Sequence, residues 1–301
     1  MKRTFLFLVL LSLSLFGAAD QPLGTRVVVL GIAQDGGIPQ IGCTQKICRT
    51  QHHFVSSLAV LSGSSVYWID ATPDLREQYA GMAQHYPAFV KANLFDGIFL
   101  THAHMGHYTG LMYLGKESIS TKKTPVFASA EMSDFLTKNA PWSLLVSNQN
   151  IELHPFESGK EIAIDGAAIT PVSVPHRHEF SDTHGFLIRG PHKTLLYISD
   201  IDSWQPIQEQ VRQWLKQADY ALLDGTFYSA DELPGRNMKL VPHPTIVDSM
   251  ALFQSWMPIH SQIWFTHLNH TNPLLDSDSA EAKSFAKTPF RIVSEWQEFE
   301  L

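Results

Sequence analysis

The chain has 301 residues, 44% hydrophobic and 17% charged, which suits one large globular domain or two small ones. Its formal net charge is −7, and a surface of that sign repels polyanions, which argues against long nucleic acid as a partner. A small anionic substrate held directly by a metal stays within reach, because local charge decides that.

The chain opens on Lys2 and Arg3, an apolar run over residues 5–16, and the small residues Gly17-Ala18-Ala19. This reads as a secretory signal peptide cut after Ala19, leaving residues 20–301 as a single domain in the periplasm or outside the cell. Of the 22 basic residues, the cut removes Lys2 and Arg3 and so leaves 20 against 29 acidic ones. The apolar run is short for a membrane span and no second one follows, so no membrane association is expected after cleavage. An uncleaved anchor is the alternative reading. No cysteine stands at the cut to carry a lipid.

Residues 26–33 read as a strand running into the turn-rich loop Gln34-Asp35-Gly36-Gly37-Ile38-Pro39-Gln40. Two further strands, 54–61 and 66–69, flank Ser62-Gly63-Ser64-Ser65, a hairpin signal. Thr72 then reads as an N-cap, with Pro73 in the first helical position of a helix reaching about residue 91 and bent or split at Pro87. The apolar run 94–100, broken by Asp96 and Gly97, arrives as a buried strand at Thr101-His102-Ala103-His104-Met105-Gly106-His107, beyond which the pattern turns helical. A short strand at 125–128 leads into a helix at Ser129, and residues 150–175 read as an antiparallel meander. Strands at 185–188 and 194–198 flank the Gly190-Pro191 turn. A helix over 203–217, a strand at 220–223, a helix over 245–256 and a strand at 262–266 complete the order. No repeat, linker or low-complexity tract is found. Two similar halves of this kind predict an α/β fold, a four-layer αββα sandwich of two mixed β-sheets flanked by helices.

The histidine turn lies where α/β folds keep their ligands, at the carboxyl end of a strand. His102 and His104 are two apart and point the same way from extended backbone, and His107 returns from the first helical turn. Three imidazoles converging on one point make a first-row transition-metal site, with zinc the first choice. The plain alternative is a chance cluster in a chain with 15 histidines. Three more apolar runs close on metal-competent side chains: Val174-Pro175-His176-Arg177-His178, Tyr197-Ile198-Ser199-Asp200 and Ile263-Trp264-Phe265-Thr266-His267. An aspartate among them can bridge two ions.

The order of these residues resembles the metallo-β-lactamase fold superfamily, whose central motif is His-x-His-x-Asp-His. Ile69-Asp70 followed by Thr72-Pro73-Asp74, and Gly185-Phe186, fit the same pattern. Three segments are similar to the branch that holds the coenzyme PQQ synthesis protein B and the PhnP cyclic phosphodiesterase. They are Gln34-Asp35-Gly36-Gly37-Ile38-Pro39-Gln40, His107-Tyr108-Thr109-Gly110-Leu111, and the run from His267 through Asn269, His270 and Asn272 to Leu275. The resemblance implies a first metal on His102, His104 and His176 with Asp200 bridging, and a second on His107, Asp200 and His267. Gly106 departs from it, standing where the motif has a carboxylate, so the second site is short of one ligand. Whether Asp35 reaches in to replace it is left open.

In the phosphodiesterase branch the residue matching His243 donates a proton to the leaving group; a helix-entry residue with no chemical role is the alternative. His178 and His184 lie near the third ligand as contacts to substrate or to the ligands, and His178 could exchange roles with His176. Cys43 and Cys48, the only cysteines, are expected to pair in an exported protein. The related phosphodiesterases instead imply a structural zinc site there, completed by His270. Its additional loop cysteine is missing here, and free thiols are the third option.

The leading expectation is an exported metal-dependent hydrolase acting on a small phosphodiester or a lactone or amide, with Asp200 and His243 as catalytic residues. One or two zinc ions are expected, with iron or manganese as alternatives. Iron-dependent oxidation in cofactor biosynthesis, and a non-catalytic metal- or ligand-binding member of the fold, are the competing readings. The partner expected is a small molecule, and the oligomeric state is open, a homodimer included.

Overall fold

Residues 26–31 form the first strand, and its side chains serve two different cores. Val27 and Val29 pack between two sheets, whereas Val28 and Leu30 pack under the helices outside the first sheet. Burial on both faces explains why the strand is written as an unbroken apolar run rather than an alternating one. The structure, a computed structural model, describes residues 24–90, 94–233, 235 and 241–301. The expected signal peptide and the far end of the first expected long helix lie outside the described residues. No helix among the described residues is long and apolar enough to cross a membrane.

The strands are β1 (Arg26–Gly31), β2 (Ser57–Ser62), β3 (Ser65–Ile69), β4 (Gly97–Phe99), β5 (Thr124–Ala128), β6 (Ile151–Pro155) and β7 (Ile162–Ile164). They continue with β8 (Ala167–Val174), β9 (Thr183–Arg189), β10 (Thr194–Ile198), β11 (Tyr220–Asp224), β12 (Gln262–Thr266), β13 (Arg291–Ile292) and β14 (Glu298–Glu300). The helices are α1 (Ile47–Thr50), α2 (Leu75–His85), α3 (Met105–Tyr108), α4 (Ala130–Lys138), α5 (Trp142–Ser147), α6 (Gln208–Gln217), α7 (Ile246–Gln254) and α8 (Ala280–Phe285). One seven-stranded sheet has the order β14-β1-β2-β3-β4-β5-β6 and the other β13-β12-β11-β10-β9-β8-β7. Each is antiparallel in one half and parallel in the other, the change falling at β3 and at β10. Helices α2, α4 and α5 cover one outer face, and α6, α7 and α8 the other. The architecture is the four-layer αββα sandwich.

Between the sheets, Phe99 of β4 stacks on Phe127 at 4.4 Å and meets Phe186 of β9 edge-on at 5.8 Å, a join that sets the two β-layers against each other. The hairpin at 62–65 forms as expected, with Gly63 at φ +58° supplying the left-handed turn residue. Ser129 caps α4 and Thr245 caps α7, each accepting the backbone N–H three residues on.

Three expectations are corrected. Helix α2 starts at Leu75, not Pro73, with Asp74 in the N-cap position; Thr72 Oγ1 accepts from Asp74 N and donates to Gln78, while the Asp74 carboxylate is taken by Val55 N. The helix stops at His85, and Pro87 opens a separate 3-10 turn, the split expected at that proline. Residues 150–175 are not one meander: β6 pairs parallel with β5 in the first sheet, and only β7 and β8 form an antiparallel pair in the second. Likewise, 203–217 divides into a 3-10 turn at Gln205–Ile207 and α6.

Candidate metal centre

Six loops, those after β1, β3, β4, β8, β10 and β12, meet at one end of the two sheets, the kind of crevice in which α/β folds hold ligands. Beyond β3, Asp70 adopts φ +68° and turns its carboxylate under the histidine loop, accepting from Thr101 N at 2.8 Å and Thr101 Oγ1 at 3.0 Å. Beyond β4 come His102 and His104, the latter still extended and forming the N-cap of α3. His107 sits inside α3, its N–H bonded to His104 O, so one turn of helix returns its ring to the other two. His176 follows β8, Asp200 follows β10 and His267 follows β12.

The imidazoles are oriented through their outward nitrogens. His107 Nδ1 donates to Asp70 at 2.7 Å, His102 Nδ1 meets Thr101 Oγ1 at 3.0 Å and His267 Nδ1 meets Thr226 Oγ1 at 2.9 Å. His176 Nδ1 lies 2.8 Å from Asp202. Each of these leaves Nε2 facing inward. His104 is reversed: Nε2 contacts Glu179 at 3.1 Å and Nδ1 faces the others. A partner on one ring nitrogen selects the tautomer that presents the other as a lone pair, the usual arrangement around a metal-binding histidine.

Two main donor clusters result, and His243 makes a third group with His176 and Asp200 of those clusters. His104 Nδ1 lies 2.8 Å from His102 Nε2 and 3.2 Å from His176 Nε2. In the second cluster, His107 Nε2 is 3.1 Å from Asp35 Oδ1 and 3.3 Å from Asp200 Oδ2. His267 Nε2 is 3.4 Å from Asp35 Oδ1 and 3.4 Å from Asp200 Oδ1. Asp200 Oδ1 also stands 3.9 Å from His176 Nε2, so one carboxylate faces both clusters. Ligands about 2.0–2.1 Å from a tetrahedral ion stand about 3.4 Å from one another, which the second cluster's 3.1 to 3.4 Å matches, while His102 and His104 stand closer at 2.8 Å.

The electrostatics fit a cation. Asp200 Oδ2 is buried with no hydrogen-bond partner, a costly state for a carboxylate oxygen unless a positive charge faces it. Burial works to raise the Asp200 carboxyl, yet His267, His107, His102 and His176 hold it well below the usual range. Asp35 behaves alike: burial raises it and the hydrogen bonds from His107 and His267 outweigh that. Burial pushes His102 well down, toward the neutral ligand form. Burial also works to lower His107, but Asp70 and Asp200 hold it well above its ordinary value. These opposing charges are what a bound metal would neutralise.

The remaining expected residues fall in distinct places. His243 stands beside the clusters, its ring 5.4 Å from that of His176 and 6.0 Å from that of His267, and its Nδ1 2.7 Å from Asp224 Oδ2. His178 lies on the surface paired with Glu131, outside both clusters, so it does not exchange places with His176. His184 is buried against Phe156, its N–H bonded to Thr101 O. Cys43 and Cys48 are joined in a disulfide, while His270 contacts Asn269. Asp35, left open from the sequence, reaches the second cluster.

Sequence reasoning named Asp70 only as part of a motif and gave no role to it, nor to Asp202, Asp224 and Thr226, which stand behind the rings, nor to Arg177, whose Nη2 comes within 3.5 Å of His104 Nδ1. Asp224 carried the same signal as Asp200, an apolar run closing on a carboxylate.

A family profile described as "Beta-lactamase superfamily domain" matches residues 67–268. The chain belongs to this superfamily. Within it, coenzyme PQQ synthesis protein B of Nitrosococcus oceani is 27% identical over 297 residues, spanning 84% of this chain and 92% of that protein. The protein of the same name from Xanthomonas euvesicatoria is 27% identical over 304 residues, spanning 92% and 100%. Among solved structures, Zn2+-bound PqqB from Methylobacterium extorquens superposes with a TM-score of 0.77 at 22% identity, covering 92% of this chain and all of that one. A diphosphatase of the PhnP family superposes with a TM-score of 0.68 at 21% identity over 93% and 98%. These superpositions extend the superfamily fold over nearly the whole described chain, beyond the span of the profile.

Proposed function

We propose that the protein is an exported metal-dependent hydrolase acting on a small phosphodiester or a lactone- or amide-type substrate, the phosphodiester favoured slightly. The convergence of two donor clusters on the shared carboxylate of Asp200, with His243 alongside, carries this reading. His102, His104 and His176 would hold one ion, and His107, Asp200 and His267 a second, with zinc suited to the nitrogen-rich set. Bound there, such a cation acts as a Lewis acid and activates water at neutral pH.

The chain's own residues supply the rest. Asp224 accepts from His243 Nδ1 while it also accepts from Ile201 N and Thr226 N, so the ring is fixed through Nδ1. Burial works to lower His243, and Asp224 outweighs it and keeps the proton in place. A protonated imidazole held beside the donor clusters suits delivery of a proton to a departing alkoxide. Arg177 at the mouth offers a fork of N–H donors to an anionic substrate. Export is supported by the apolar leader and by the Cys43–Cys48 disulfide.

The test is turnover of bis-p-nitrophenyl phosphate and a lactone panel by the mature chain, with metal content measured on the same sample. Activity abolished by a chelator and restored by zinc is expected. Protein without stoichiometric metal, indifferent to chelators, would falsify the proposal. A second reading, metal-dependent oxidation, is favoured by one observation: the curated relatives matched over 84% and 92% of the chain are PQQ synthesis proteins. Bound iron with oxygen consumption would select it over hydrolysis. N-terminal sequencing of the exported product, expected to begin at Asp20, tests the leader.

A further inference from the structure

The geometry points to a second metal position in which Asp35 and Gly106 are two halves of one device: the carboxylate comes from the loop after β1, and the glycine on α3 makes room for it. This rests on the reading of the centre as a metal site. A Cβ built on Gly106 would stand 2.5 Å from Asp35 Oδ1 and 2.8 Å from its Cα and Cγ, closer than a side chain tolerates. The bond leaving α3 at position 106 therefore aims at the space that the Asp35 carboxylate fills. A residue with any side chain at 106 and an aspartate at 35 compete for one volume.

Asp35 is not a loose loop residue that happens to approach. Ala33 bridges both Val55 and Leu268, Gln34 N donates to Leu268 O at 2.9 Å, and Leu268 N donates to Ile32 O at 2.7 Å. Leu268 follows His267 directly, so the backbone that carries one member of the cluster fixes the backbone that carries Asp35. Gly37 N closes the turn onto Gln34 O at 2.7 Å. With Asp35 counted, the second cluster has four donors, His107, Asp200, His267 and Asp35, as a closed tetrahedral site requires. Gly106 is then a requirement of the second site rather than a defect in it.

The experiment counts zinc per chain by equilibrium dialysis and elemental analysis in the mature wild type, D35N, G106A and the exchange variant D35G/G106D. Circular dichroism melts of the metal-free proteins check the fold of each. Two zinc ions are expected in the wild type and in the exchange variant. D35N and G106A should keep the first ion and hold the second at least about 10-fold more weakly, although G106A removes no donor atom. Two tightly held ions in D35N, an exchange variant no better than D35N, or a single ion in the wild type overturns the inference while the first site stands. A wild type that binds no zinc overturns both the inference and the metal-centre reading beneath it.

Discussion

Asp70 Oδ2 lies 2.7 Å from His107 Nδ1, and neither residue reaches solvent. The same carboxylate takes Thr101 N and Thr101 Oγ1, so one residue beyond β3 sets both the path of the histidine loop and the face that His107 shows to the centre. Burial raises the Asp70 carboxyl, against the opposing pull of His107 and the Thr101 hydrogen bonds.

D70N should therefore weaken zinc binding by about 10- to 100-fold, the usual cost of losing a partner behind a ligand. Asparagine tolerates the left-handed backbone found at position 70, so the effect isolates the carboxylate from backbone strain. Competition with a chromogenic chelator measures it, and unchanged affinity would refute the orienting role.

H243A should leave the zinc content intact and lower kcat by about 100-fold or more for substrates with alkoxide leaving groups. With p-nitrophenolate, which departs without a proton, the loss should be slight. D224N should reproduce the pattern in milder form, because Asp224 acts only through the ring it holds. Equal losses with both leaving groups would exclude proton donation.

R177A should raise KM for anionic substrates by about 10-fold with kcat and zinc content little changed, since the guanidinium stands at the mouth and is half exposed. A neutral lactone should be insensitive to the change. Initial-rate kinetics on the two substrate classes decide it.

Glu232 gives a pH dependence of stability. Burial raises its carboxyl from the ordinary 4.5 to about 7, against hydrogen bonds donated by Thr271 Oγ1 and Tyr228 N. Between those values the unfolded chain has released a proton that the folded chain still holds. Stability should thus fall as pH climbs from 4.5 to 7, being fully present below the window and lost above it, by at most about 3 kcal/mol. E232Q should flatten that slope in denaturant titrations across the window, and a wild-type slope kept by E232Q would show that another group is responsible.

The histidine turn was legible because its geometry is local. Side-chain alternation along extended backbone aligns His102 with His104, and a single turn of helix returns His107, all within six residues. Strand ends closing on His176, Asp200 and His267 were legible for the same reason, each marked by the stop of an apolar run. Strand partnership was not. Residues 151–155 have the pattern of a strand in any sheet, and only the shape of the core assigns β6 to β5 rather than to β7.

By itself, the sequence determined which side chains end the strands, and with them the fold class and the chemical type of the centre. The tertiary structure alone decided that Asp35 reaches His107, 72 residues away, and His267, 232 residues away. That meeting is made by backbone pairing of Ala33 and Gln34 with Leu268 and by the room left at Gly106. Neither is encoded in any short window, because a hydrogen bond between distant strands depends on how the whole sheet closes.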